Sequence, residues 1–61
     1  MNWNDIEIIL GQDHVWWLYS NERDQYCRTG LRYRTNDEND VRKYVDENGI
    51  VEEAWQDELT D

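Results

Sequence analysis

The sequence predicts an α+β domain: a small antiparallel β-sheet of three to four strands in a meander, with one α-helix at about residues 37–48 packed on one face. Three observations carry this expectation. Two short β-branched or aromatic runs end in clusters of turn formers, a third run alternates apolar and polar residues, and a stretch with helical spacing is bracketed by cap residues.

The first run, Ile6-Glu7-Ile8-Ile9-Leu10, stops at Gly11-Gln12-Asp13 and reads as a strand. A short helix from Asn4 is its rival, since Trp3, Ile6 and Leu10 also suit helical spacing. Residues 15–19 are apolar or aromatic throughout and end at Ser20-Asn21-Glu22-Arg23-Asp24, which predicts the central strand. Residues 26–34 alternate, with Cys27, Thr29, Leu31 and Tyr33 on one face and Arg28, Gly30, Arg32 and Arg34 on the other. Helix signals follow: Thr35, Asn36 or Asp37 as N-cap, carboxylates at the positive end of the dipole, a Val41, Tyr44, Val45 stripe, and Asn48-Gly49 as the stop. Beyond Gly49 the period is mixed. Val51, Ala54, Trp55 and Leu59 fit a second helix, while Ile50-Val51 after an Asn-Gly stop favours a returning strand, the reading adopted, with residues 58–61 a frayed tail.

Adjacent Trp16 and Trp17 sharpen the packing question, because neighbouring side chains of a strand point to opposite faces. With Val15, Trp17 and Tyr19 under the helix, His14, Trp16 and Leu18 fall on a reverse face with no cover of its own. Trp16 then needs an arginine stacked on it, a second subunit or a target protein.

At 61 residues the chain makes one domain, of a size that buries only about 60% of the surface of its unfolded form. Small domains are usually helped by disulfides, metals or partner chains. Cys27 is the sole cysteine and His14 the sole histidine, so neither an internal disulfide nor a Cys/His zinc site is expected, and a homodimer is the remaining aid. Apolar runs are too short for a membrane span and the N-terminus does not read as a signal peptide, which predicts a cytoplasmic protein, in the host cytoplasm if viral.

Catalytic groups are scarce. His14 and Ser20 stand at opposite ends of one strand, Cys27 lies on an apolar face without a CxxC partner, and the acidic runs fail the calcium-loop pattern, with Val41 or Ile50 where the fifth ligand belongs. The three glycines stand apart and build no phosphate loop. The expectation is a protein that is not an enzyme and takes no cofactor or metal.

Charge is distributed unevenly: residues 1–22 carry −4, residues 23–43 carry +2 and residues 44–61 carry −7, for a net −9. So negative a chain repels nucleic acid and anionic membranes and attracts basic proteins. The plain reading pairs the C-terminal carboxylates with Arg28, Arg32 and Arg34 and leaves the rest solvated. The sharper one exposes Asp46, Glu47, Glu52, Glu53 and Asp57 as a phosphate-like array, with Trp16, Leu18 or Trp55 as apolar anchors against a basic, nucleic-acid-binding protein. In length, acidity, element order and lack of catalytic groups, though by no motif, the chain is similar to the short acidic proteins that phages and mobile elements use against host enzymes. Those inhibit DNA glycosylases, restriction systems, CRISPR effectors or RNA polymerase. The alternative is a structural or regulatory homo-oligomer whose acidity keeps it dissolved.

Overall fold

The computed structural model describes residues 1–59. Its sheet has three antiparallel strands in the order β1 (Ile6–Leu10), β2 (Val15–Ser20), β3 (Gln25–Arg32), followed by the helix α1 (Glu38–Asn48). The rival helix at the N-terminus shrinks to one 3-10 turn, Trp3–Asp5, which feeds straight into β1. α1 starts where its caps place it, with the Asp37 carboxylate accepting the Asn39 N–H at 2.9 Å, and stops at Gly49, whose φ of 74° a side chain would disfavour.

β2 is the central strand, and four consecutive residues, Val15, Trp16, Trp17 and Leu18, are buried. Which face lies under the helix differs from the expectation. Trp16 and Leu18 form the core with Val41 and Val45 of α1, and Ile6, Ile8 and Leu31 pack around them. The reason is register. Leu18 stands opposite Ile8 and Cys27, whereas Trp17 stands opposite Ile9 and Arg28. The face that joins the apolar residues of all three strands is therefore the Trp16 face, and the helix covers that one.

Trp17 is closed off by a different device. The β1–β2 turn curls over its indole, and Asp13 accepts the Trp17 Nε1–H at 3.1 Å, the Val15 N–H at 3.2 Å and the Arg28 Nε–H at 3.0 Å. Gly11 lies directly on the ring: a Cβ there would stand 2.5 Å from Cδ1 and Nε1 of Trp17. Glycine is needed here for close approach. His14 ends the turn, exposed and at φ 61°, with its N–H donated to the Gly11 carbonyl.

Partial burial pushes the Asp13 carboxyl up, but the hydrogen bonds from Arg28, Trp17 and Val15 and the Arg28 charge outweigh it and hold the group below its ordinary 3.8. A depressed carboxylate contributes stability that is complete above its unfolded pKa and is lost as the pH falls through the folded one. Thermal melts of Asp13→Asn and of the parent chain should thus differ most near neutrality, and the gap should close as the pH drops below about 4. A gap of constant size across that range would contradict the assignment.

β3 ends at Arg32 and is bulged opposite Trp16, between the Val15 and Trp17 pairings. The Thr29 hydroxyl donates to the Trp16 carbonyl at 2.6 Å and accepts the Leu31 N–H at 3.1 Å, while Gly30 takes φ 86°. The bulge re-aims the strand, and Tyr33 beyond it tilts its ring against Trp16 at 5.9 Å.

After Gly49 the chain forms neither the fourth strand nor a second α-helix. It makes a 3-10 turn, Glu52–Ala54, and a single bridge between Gln56 and Tyr26. Ile50 and Trp55 are the residues of this segment that pack on the core. Two anchors five residues apart fit neither a period of two nor one of 3.6, and Val51 between them is 63% exposed. Of the expected frayed tail, Glu58 and Leu59 are irregular, and Thr60 and Asp61 lie outside the described residues.

Candidate functional site

A cleft of about 470 Å³ lies where the C-terminal end of α1 meets the β2–β3 turn. Its apolar lining includes Ile6, Val45, Ile50 and Trp55, and its charged lining is Glu22, Arg23, Asp46 and Glu52, with the Asp5 carboxylate deeper in. Three of the sequence-expected binding residues, Asp46, Glu52 and Trp55, therefore share one site. Glu47, Glu53 and Asp57 belong to the same acidic segment but stand outside the lining. Trp16 and Leu18 do not reach the surface: they are 7% and 0% exposed under the helix, which corrects their assignment as a contact patch.

Asp5 builds the cleft from below. Its carboxylate accepts the Ser20 hydroxyl at 2.6 Å and the Glu22 N–H at 2.9 Å, and its carbonyl accepts the Asn21 N–H at 3.1 Å. Ser20 in turn accepts the Arg23 N–H at 3.1 Å, so the loop is tied to the N-terminal turn and Arg23 is aimed at the acidic segment. Ser20 is thus a buried bracing residue. At the far end of the same loop, the Tyr19 hydroxyl donates to Asp24, a bond that pushes the phenol up to about 12. Cys27 is fully buried, and desolvation, with a smaller effect of Glu52, pushes its thiol up. That is the setting of a structural cysteine.

Arg23 meets Glu52 at 2.6 Å and stacks 4.9 Å from the centroid of Trp55. Both ends of the ion pair are largely exposed, so the pair contributes only about 0–1 kcal/mol. This is the neutralisation the array receives, and it comes from the turn. Arg28 is committed to Asp13, while Arg32 and Arg34 form no ion pair among the described residues. Among the described residues no arginine stacks on Trp16 either; Arg23 stacks on Trp55 and Arg42 on Trp3. Asp57 accepts a hydrogen bond from Gln25 at 3.0 Å. Asp46, Glu47 and Glu53 are exposed and without a side-chain partner among the described residues.

Sequence reasoning missed Arg23 and Asp5. Arg23 is 29 residues from Glu52, and no local pattern links a turn arginine to a distant carboxylate. Asp5 ahead of an apolar run did carry a signal, that of a turn-forming acid. Among the described residues no group of His, Cys, Asp and Glu is arranged to hold a metal ion, and no helix is long and apolar enough to cross a membrane. The chain matches no protein-family model, no curated protein and no solved structure.

Proposed function

We propose that the chain is a small acidic binding protein that blocks a basic, nucleic-acid-handling protein by occupying its nucleic-acid groove. One observation carries the reading. Asp46 and Glu47 stand exposed and unpaired in the last turn of α1, a turn that holds no basic residue. A carboxylate at that end of a helix meets the negative pole of the dipole and costs about 0.3–1 kcal/mol. Charges that burden the fold without an internal return mark positions kept for another purpose.

Glu53 adds a third unpaired carboxylate, and the cleft beside them offers Trp55 and Ile50 as apolar surface. A partner's lysine or arginine could lay its stem on that surface and its head near Asp46 and Glu52. The field of −9 draws basic surfaces and disfavours nucleic acid itself. On this reading the protein acts by binding alone, uses no cofactor, and works in the cytoplasm as the phage and mobile-element inhibitors of similar kind do. A homo-oligomer built on Trp16 and Leu18 is no longer supported, since α1 covers both.

The test is the triple variant Asp46→Lys, Glu47→Lys, Glu53→Lys. Affinity for the partner should fall by roughly 100-fold, at about 1 kcal/mol for each reversed charge, and its salt dependence should flatten. The same variant should melt higher than the parent, because lysines suit the end of α1. Unchanged affinity in a chain that melts higher would sink the proposal.

A further inference from the structure

The two edges of the sheet are treated differently. The outer edge of β3 is blunted: Tyr26 exchanges both backbone bonds with Gln56, at 2.7 and 2.8 Å, Gly30 sits in a bulge, and Arg28 and Arg32 add charge. These are the devices that keep an edge from pairing. Among the described residues β1 has no such bridge or bulge, and its one charged residue is Glu7. Its five residues are Ile-Glu-Ile-Ile-Leu, without lysine, arginine, proline or bulge, and Leu10 is 40% exposed.

The direction of its free backbone groups follows from the bonds that β1 makes. Asp5 accepts from Asn21 and Gly11 donates to Val15, so the odd-numbered residues face β2 and the N–H and C=O groups of Ile6, Ile8 and Leu10 face outward. The Ile6 N–H is used by the Trp3 carbonyl. Left over are the Ile8 and Leu10 N–H groups and the Ile6, Ile8 and Leu10 carbonyls.

We propose that β1 joins the sheets of two copies of this chain, antiparallel, in a register centred on Ile8. In that register Ile8 exchanges both bonds with Ile8 of the partner subunit, and each Leu10 N–H meets the free Ile6 carbonyl opposite. Every leftover donor finds an acceptor. The side chains agree as well, since Ile6, Ile8 and Leu10 extend the helix-covered core across the two-fold axis, and Glu7 faces Ile9 of the partner subunit. Centring on Glu7 instead would set two carboxylates opposite each other, and centring on Ile9 would leave Ile6 outside the ladder. A self-complementary patch of this kind selects a second copy over a foreign strand. Of the β1 residues only Ile6 also lines the cleft, and none is a carboxylate of the acidic segment, so either proposal can fail without the other.

Sedimentation equilibrium tests it. The parent chain should run at twice its 7.5 kDa at tens of micromolar, and the dimer should tighten with salt as two charges of −9 are screened, the reverse of the response expected of a basic partner. Leu10→Pro removes an N–H that bonds to nothing among the described residues, and Leu10→Lys places a charge on the edge; both should weaken dimerisation at least tenfold with the circular dichroism unchanged. Glu7→Cys and Ile9→Cys chains should crosslink when mixed and not alone. A single-chain mass at every concentration, a dimer that survives both Leu10 variants, or Ile9→Cys chains linking to themselves would each overturn the proposal.

Discussion

Trp16→Ala is expected to unfold most of the population at 25 °C. Removing a buried Trp costs about 3–5 kcal/mol, and a domain of this size seldom has more than that to lose. The loss is concentrated because Trp16 touches both layers: it belongs to the core with Leu18, Val41 and Val45 and carries Tyr33 against its outer side. Far-UV circular dichroism and amide shift dispersion of the variant would read this directly. A surface Trp among arginines, by contrast, would be replaced at a cost within about 0.5 kcal/mol. The experiment therefore separates the buried placement from the exposed one, and a well-folded Trp16→Ala chain would contradict the packing described above.

Gly11→Ala is the second large effect, and it is unusual for a change of one methyl group. The added Cβ would stand 2.5 Å from the Trp17 ring and equally close to the Asp13 carboxylate, so either the indole or the turn must move. Overpacking of this kind costs about 1–3 kcal/mol, and displacing Asp13 would also loosen its bonds to Val15, Trp17 and Arg28. Chemical denaturation measures the cost. The mechanism has a signature in a double-variant cycle: with Trp17→Ala already in place the ring is gone, and Gly11→Ala should cost clearly less, keeping only the contact with Asp13. If the two changes simply added, the clash would not be the cause.

The pair of tryptophans also shows what could be read from the residues and what could not. Alternation alone placed Trp16 and Trp17 on opposite faces, and β1, β2, β3 and α1 all follow from run length, turn formers and caps. Alternation could not rank the two faces of β2, since both sides of that strand are apolar. The ranking came from cross-strand register, Leu18 against Cys27 and Trp17 against Arg28, which no single strand encodes. The cover over Trp17 was equally hidden. It depends on Gly11 and Asp13 folding back by a turn whose sequence reads as an ordinary hairpin loop.

The acidic segment was legible in composition and less so in geometry. Its charge is visible at a glance, but the conformation after Gly49 is fixed by two tertiary anchors, Ile50 and Trp55, and by the bridge from Gln56 to Tyr26. That conformation brings Glu52 to Arg23 and leaves Glu53 facing water, as the last turn of α1 leaves Asp46 and Glu47. With Trp16 and Leu18 inside, the candidate binding residues reduce to Asp46, Glu52 and Trp55 in one cleft and Glu47, Glu53 and Asp57 outside its lining. The reading of function now rests on them.

Its most direct test is capture from a cell extract on the immobilised chain, with washes of rising salt and with duplex DNA added as a competitor. Basic, nucleic-acid-binding proteins should be among those retained, displaced by DNA and largely released by about 0.2 M salt. Retained proteins that ignore both the salt series and the DNA would contradict it.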